Sequence, residues 1–303
     1  MRELKKYKEE DLLFYDIETA TVVKELTPDT PLYNSWEYKV NKEGEMTQEE
    51  ILESFKKEAG LYPEFSKVIS IVVGKIVEGK IALITIDDEE EKELLTKFNT
   101  IVDRNSNSTL TGFVNIGFDT PFVFKRMLIN GIQPSNSLDS SGLKPWEVAE
   151  LDLAMVWKGT SFSRASLINI ATAFGLPSPK DDISGADVGR VYRNEVGGLK
   201  RISAYCRRDV VTTINIFKKM RLEDALELSN EGIEDQPLIL SLFGGGKYGA
   251  KEKKELTAVF LGLSEKEREM GYVILNSIVS GAKGKVTKLT KVHVKALKES
   301  FNE

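Results

Sequence analysis

The 303-residue chain is mildly acidic, with 42 Lys+Arg against 47 Asp+Glu, and 41% of its residues are hydrophobic, the balance of an ordinary soluble globular protein. That length holds one large domain, or one of about 200 residues with an appendage. No apolar run approaches the ~20 residues needed to cross a bilayer; the longest, around Val68–Val77, is interrupted by Gly74 and Lys75. The charged start, Met1 to Asp11, lacks the apolar stretch of a signal peptide. Cys206 is the lone cysteine, which rules out an internal disulfide and fits a reducing compartment, so a cytoplasmic protein with no membrane partner is expected. Residues 221–303 carry 13 Lys+Arg and 13 Asp+Glu, so the whole negative excess lies in residues 1–220. Net charge does not exclude a nucleic-acid partner, because acids gathered around divalent cations meet a polyanion through the positive charge of the ions.

Leu12–Tyr15 is a short apolar run followed by Asp16-Ile17-Glu18-Thr19, and it reads as a buried strand that turns polar at its C-terminal end. Residues 24–66 are polar with scattered aromatics, and Thr47-Gln48-Glu49-Glu50 has the capping pattern that opens a helix over Thr47–Ala59. Val68–Val77 and Lys80–Ile86 read as two strands joined by a hairpin at Glu78-Gly79. Asp88–Val102 places Leu94, Leu95, Phe98 and Ile101 on one helical face. A strand is expected at Leu110–Val114 and a helix at Thr120–Ile129. After a loop rich in Pro, Ser and Gly (Gln133–Pro145), helices are expected at Ser163–Phe174, Gly185–Tyr192 and Gly198–Lys219. A hairpin followed by alternating strands and helices argues for a mixed α/β sheet flanked by helices. The core domain, residues 1–221, is expected to end near Arg221. Residues 222–303 would form a mainly helical, lysine-rich extension, with a Phe243-Gly244-Gly245-Gly246 break and a helix near Ser264–Ser277.

Asp16 and Glu18 are two positions apart on a strand, so both carboxylates leave the same face. Two acids at the end of a buried strand repel one another and are costly to desolvate unless something positive sits between them. Hard, oxygen-seeking Mg²⁺ or Mn²⁺ meets that need, although two solvent-facing acids where a strand meets a loop would look the same. Asn115-Ile116-Gly117-Phe118-Asp119 puts Asp119 at the mouth of the sheet, where α/β folds assemble their sites. Asp119 also reads as the N-cap of the helix starting at Thr120, with Pro121 in its first turn. In Tyr205-Cys206-Arg207-Arg208-Asp209, the tyrosine and aspartate stand at i and i+4 on one helical face, a spacing that a tyrosine packed at the edge of the core also explains. Read jointly, the three segments supply what a two-metal hydrolase needs, with ions roughly 3.5–4 Å apart that activate water and hold a scissile phosphate.

With these motifs the sequence resembles the DEDD (DnaQ-like) superfamily of 3′→5′ exonucleases, and more narrowly the stand-alone exonucleases related to the proofreading domain of family-B DNA polymerases. Asp16-Ile17-Glu18-Thr19 matches the first exonuclease motif, Asn115 to Asp119 the second, and Tyr205-X-X-X-Asp209 the third. Supporting stretches are Leu61–Lys67, Phe118-Asp119-Thr120-Pro121 with Arg126, Gly175-Leu176-Pro177, Ser184–Val188, and Val210-Val211-X-Thr213 after the third motif. The resemblance covers roughly residues 11–221 and implies an RNase H-like fold. It implies that Asp16, Glu18, Asp119 and Asp209 organise two Mg²⁺ or Mn²⁺ ions, and that Tyr205 positions the attacking water. Thr19 and Ala20 would line the pocket of the terminal nucleotide, and Asn115 and Phe118 would contact the strand. The substrate implied is single-stranded DNA or frayed DNA 3′ ends, cleaved to nucleoside 5′-monophosphates. RNA hydrolysis by the same chemistry, or a catalytically silent nucleic-acid-binding module, are the alternatives. A replication or repair partner could dock through residues 222–303.

The sister branch of this superfamily uses a histidine five residues before the last aspartate. That position is Ala204 here, and the only histidine, His293, lies in the lysine-rich tail. Asp152 is expected to have a structural or supporting role, Asp181 and Asp182 to be caps or loop acids, and Cys206 to be a packing residue. Gly244-Gly245-Gly246-Lys247-Tyr248 lacks the spacing and the hydroxyl of a phosphate loop. The terminal lysines read either as a phosphate-tracking surface or as a solvated helix.

Overall fold

The computed structural model describes residues 2–227, apart from 78, 89, 163 and 180–182. Strands β1 (Leu12–Thr21), β2 (Ser66–Val77), β3 (Lys80–Ile86), β4 (Thr109–Gly112) and β5 (Leu151–Asp152) form one sheet in the order β3-β2-β1-β4-β5. β2 runs antiparallel to both β1 and β3, while β4 is parallel to β1 and β5 parallel to β4. This mixed sheet flanked by helices is the RNase H-like arrangement that the motifs imply. The described helices are α1 (Arg2–Lys5), α2 (Pro31–Val40), α3 (Gln48–Glu58), α4 (Glu91–Arg104), α5 (Asp119–Ile129), α6 (Leu153–Lys158), α7 (Leu167–Ala173), α8 (Gly185–Asn194) and α9 (Gly198–Met220).

β1 is central and buried on both faces, so its sequence is a continuous apolar run before the acids begin. Leu13, Tyr15 and Ile17 join a core with Leu94, Phe98 and Phe122 from α4 and α5. Leu12 and Phe14 face the other way, into a core with Val210, Ile214 and Phe217 of α9. α9 seats closely on the sheet because β2 has no side chain at Gly74. A Cβ there would stand 2.8 Å from Val210 Cγ1 and 3.0 Å from Ile214 Cδ1.

β1 and β2 change register at Ile69. Glu18 pairs with Ser70, but Thr19 pairs with Val68, leaving Ile69 as the extra residue of a β-bulge. The bulge turns β2 over: Ile71 and Val73 lie in the same core as Val68, whereas Ile69 packs on the α8–α9 side. The Val68 N–H, released from the ladder, donates to Glu91 Oε1 at 2.8 Å. Glu91 is held in turn by Arg126 of α5, whose Nη1 donates to Pro63 O at 2.8 Å.

The helices expected within the described residues are recovered with small shifts, while other elements correct the sequence reading. β4 ends at Gly112 rather than Val114, because Val114 takes φ 69° and breaks the strand. α2 was not expected; Thr30 accepts from Tyr33 N, Pro31 opens the helix, and Trp36 packs edge-on against Phe55 and Phe65. The helix expected from Ser163 begins at Leu167, where Ser166 provides the cap. Past α9 the chain folds back: Leu226 exchanges two hydrogen bonds with the Asn215 side chain, and Glu227 O accepts from Ile81 N of β3 at 3.4 Å. The Phe243–Tyr248 glycine segment, the helix near Ser264–Ser277, the tail lysines, His293, Asp181 and Asp182 lie outside the described residues. No described helix is long and apolar enough to cross a membrane.

Candidate active site

The three acidic motifs arrive from three elements. β1 presents Asp16 and Glu18 on the face turned to α9, in phase with Phe14 and Ala20. β4 pairs with β1 only over Leu12–Phe14, so the edge of β1 beyond is unpaired by β4. There the Ile17 N–H, between the two acids, donates to Asp119 Oδ1 at 3.1 Å. Asp119 is therefore the first residue of α5 and not its cap, a position that Phe118 occupies. This corrects the N-cap reading: a tertiary backbone donor claims the carboxylate.

A strained turn delivers Asp119. Val114 is β-branched, yet it sits in the left-handed region, which costs on the order of 1–3 kcal/mol. Its N–H donates to Asp152 Oδ1 at 3.1 Å, and its carbonyl accepts from Gly117 N and Phe118 N. Asp152 also accepts from Ala154 N and Met155 N at the start of α6. Asn115 folds against Gly112, where a Cβ would be 2.7 Å from the Asn115 Cβ.

α9 brings Tyr205 and Asp209 to the same place from the other side. Tyr205 packs with Ala20, Ile69, Val188 and Val191, and it stands near enough to Asp209 for that carboxylate to raise its pKa. Between these two residues on the sheet-facing side lies Cys206, whose Sγ donates to Asp16 Oδ2 at 3.3 Å. One ligand atom each from Asp16, Glu18 and Cys206 lies within 4.8 Å of the others.

The electrostatics are those of crowded, desolvated acids. Burial, then the charges of Asp119, Asp209 and Glu18, push the Asp16 carboxyl well above the usual range, against a lowering hydrogen bond from Cys206. Glu18 is raised by burial, Asp209 and Asp119. Asp119 is pushed up to about 7, mainly by burial, with the Ile17 N–H pulling the other way. Burial, Asp209 and Glu18 hold the Tyr205 phenol protonated far above neutrality. Among the described residues no Lys, Arg or His pairs with Asp16, Glu18 or Asp119. Glu18 is 8% exposed, and its carboxylate makes no hydrogen bond to a described residue.

Behind Asp119 lies a second acid not singled out in the sequence. Glu150 Oε2 accepts from Asn115 Nδ2 and Thr120 Oγ1, each at 2.7 Å, and Thr120 also meets the Tyr15 hydroxyl. Burial pushes Glu150 to about 7. Its other oxygen, and Asn115 Oδ1, are buried without hydrogen-bond partners. Acceptors outnumber donors throughout this pocket, so an all-oxygen donor set of this kind suits a hard divalent cation.

The four residues expected to meet substrate divide. Thr19 is partly exposed, with its hydroxyl donating to Gly60 O, and Phe118 is partly exposed beside Phe122. Ala20 and Asn115 are buried, at 1% and 0% exposure, so neither side chain presents a surface to a strand. Ala20 packs beneath Tyr205, and the Asn115 amide is committed to Glu150.

Residues 61–237 match a protein family described as "Predicted 3'-5' exonuclease related to the exonuclease domain of PolB". The match includes Asn115, Phe118, Asp119, Tyr205 and Asp209, and begins downstream of Asp16 and Glu18. No curated protein matches the chain. Among solved structures, the family B DNA polymerase of the hyperthermophilic archaeon Pyrobaculum calidifontis is similar at 16% identity and a TM-score of 0.43, over 82% of this chain. The chain spans only 28% of that polymerase.

Proposed function

We propose that this chain, which belongs to the family of predicted 3′→5′ exonucleases related to the exonuclease domain of PolB, acts on single-stranded or frayed DNA 3′ ends. The products are nucleoside 5′-monophosphates. The observation that carries the reading is the convergence of Asp16, Glu18, Asp119, Asp209 and Tyr205 at one buried site, with no basic residue among the described residues paired to Asp16, Glu18 or Asp119.

Asp16, Glu18, Asp119 and Asp209 would hold two Mg²⁺ or Mn²⁺ ions. Two such ions supply activation of water, charge neutralisation at the scissile phosphate and stabilisation of the leaving 3′ oxygen. The chain's own groups do the rest. The Ile17 N–H fixes Asp119 against β1, and the rigid seat of α9 over Gly74 fixes Tyr205 and Asp209. Tyr205 keeps its proton at neutral pH, so it orients the attacking water by hydrogen bonding and does not act as the base. Thr19 and Phe118 retain surface for the terminal nucleotide.

The test is incubation with 3′- and 5′-labelled DNA and RNA oligonucleotides, with and without Mn²⁺ or Mg²⁺. Stepwise, cation-dependent loss from the 3′ end of DNA, abolished by Asp16→Ala and Asp209→Ala, is expected. Cleavage of RNA alone would move the reading to an exoribonuclease, and binding without cleavage to a silent module. Full activity in either variant would remove these residues from the chemistry.

A further inference from the structure

We propose that Arg193 and Lys67 form a phosphate-binding patch for the substrate strand, where β1 leads away from the carboxylates; the identity of that strand rests on the nuclease reading above. Ala20 and Thr21 end β1, and Ala20 pairs with Lys67 across the sheet. Thr21 lies three residues beyond Glu18, about 10 Å along an extended chain. Arg193, in the last turn of α8, donates from Nη1 to Thr21 Oγ1 at 2.9 Å. The Thr21 hydroxyl gives its own proton to Val23 O at 2.8 Å.

The surroundings of Arg193 are unusual for an arginine on this helix. Its neighbour Arg190 pairs with Asp187 and Glu195, and Arg201 pairs with Glu195. Arg193 has no carboxylate partner among the described residues, and Thr21 is its only hydrogen-bond partner there. It is nevertheless partly buried, and burial is the one influence on its pKa, pulling it down. The guanidinium folds over Gly189, where a Cβ would be 3.1 Å from Nη1 and 3.3 Å from Nη2. Lys67 likewise has no acid partner among the described residues; its ammonium stands 5.5 Å from the centre of the Tyr192 ring.

A half-desolvated guanidinium without a counter-ion is an expensive arrangement that an anion relieves. Its planar fork suits two oxygens of one phosphate, and an ammonium beside it adds a point charge. The patch attracts the strand without touching the acids, so it offsets their repulsion of a polyanion and leaves them free for cations.

The experiment uses the full chain in chelator, where hydrolysis is silent. Anisotropy of a labelled single-stranded oligonucleotide is followed over a series of KCl concentrations. Each lost phosphate contact lowers the slope of log K against log salt by about 0.7. Arg193→Gln and Lys67→Gln should each show that loss, their combination about twice as much, and Arg193→Lys should retain the wild-type slope. Thermal melting confirms that each variant is folded, and Lys67→Gln keeps the test open should the arginine variant fail to fold. Unchanged affinity and slope in the double variant would overturn the patch. A slope loss without Mn²⁺-dependent cleavage by the wild type would support the patch and remove the nuclease reading. Cleavage with an unchanged slope would do the reverse.

Discussion

Asp119→Asn tests whether the site is electrostatically strained when no cation is bound. The asparagine oxygen can still accept the Ile17 N–H, so the link between α5 and β1 survives while the charge is lost. An acid whose pKa is raised on folding holds its proton more tightly in the folded state. Stability therefore falls as pH climbs through the unfolded value and levels off above the folded one. For Asp119 that window runs from 3.8 to about 7. At 1.36 kcal/mol per pKa unit, the full cost of ionising it in the folded protein is about 4 kcal/mol, of which roughly 2–3 kcal/mol develops between pH 5 and pH 8. Urea unfolding in chelator should show the variant gaining on the wild type by that amount over this range. Saturating Mn²⁺ should then close the gap, because the variant has lost a ligand. A stability difference identical at pH 5 and pH 8 would refute the reasoning.

Tyr205→Phe removes the hydroxyl beside Asp209 and should lower kcat about 10- to 100-fold, while Mn²⁺ binding followed calorimetrically is unchanged. Glu91→Ala strands Arg126 and the Val68 N–H in the interior, and should cost about 3–5 kcal/mol in urea unfolding. Gly74→Ala places a methyl group against Val210 and Ile214, lifting α9 from β2. It should cost about 1–3 kcal/mol and depress kcat more than KM, since Tyr205 and Asp209 ride on that helix.

Local spacing made parts of the site legible in the sequence. Asp16 and Glu18 share a face because strands repeat every two residues, and Tyr205 and Asp209 because helices repeat at i+4. The central strand and the long helix α9 carry unbroken patterns, which the structure follows closely. Asp119 was recognised as a candidate, but its carboxylate bonds a backbone N–H 102 residues earlier, a partner that no local pattern announces. Cys206 read as packing because one buried thiol looks like any small apolar residue; its contact with Asp16 depends on where α9 crosses β1. Glu150 stood beside Asp152 unremarked, since its role depends on Asn115 and Thr120 folding back over it. α2 was missed because only Tyr33 and Trp36 of its ten residues are buried, too few to set a helical rhythm.

The unpaired Ile69 lets this corner of the protein absorb a one-residue change of chain length that a regular ladder would not. Trimming Ile69 to alanine would thin the contacts with Val188 and Ile202 and leave the strand in frame. Deleting it would leave Val68 opposite Thr19 and on the same face as Ile71, so the alternation of core residues would survive. What a single missing codon would remove is the Ile69 packing on the α8–α9 side beside Tyr205, while the Val68–Glu91–Arg126 link to α5 would stand.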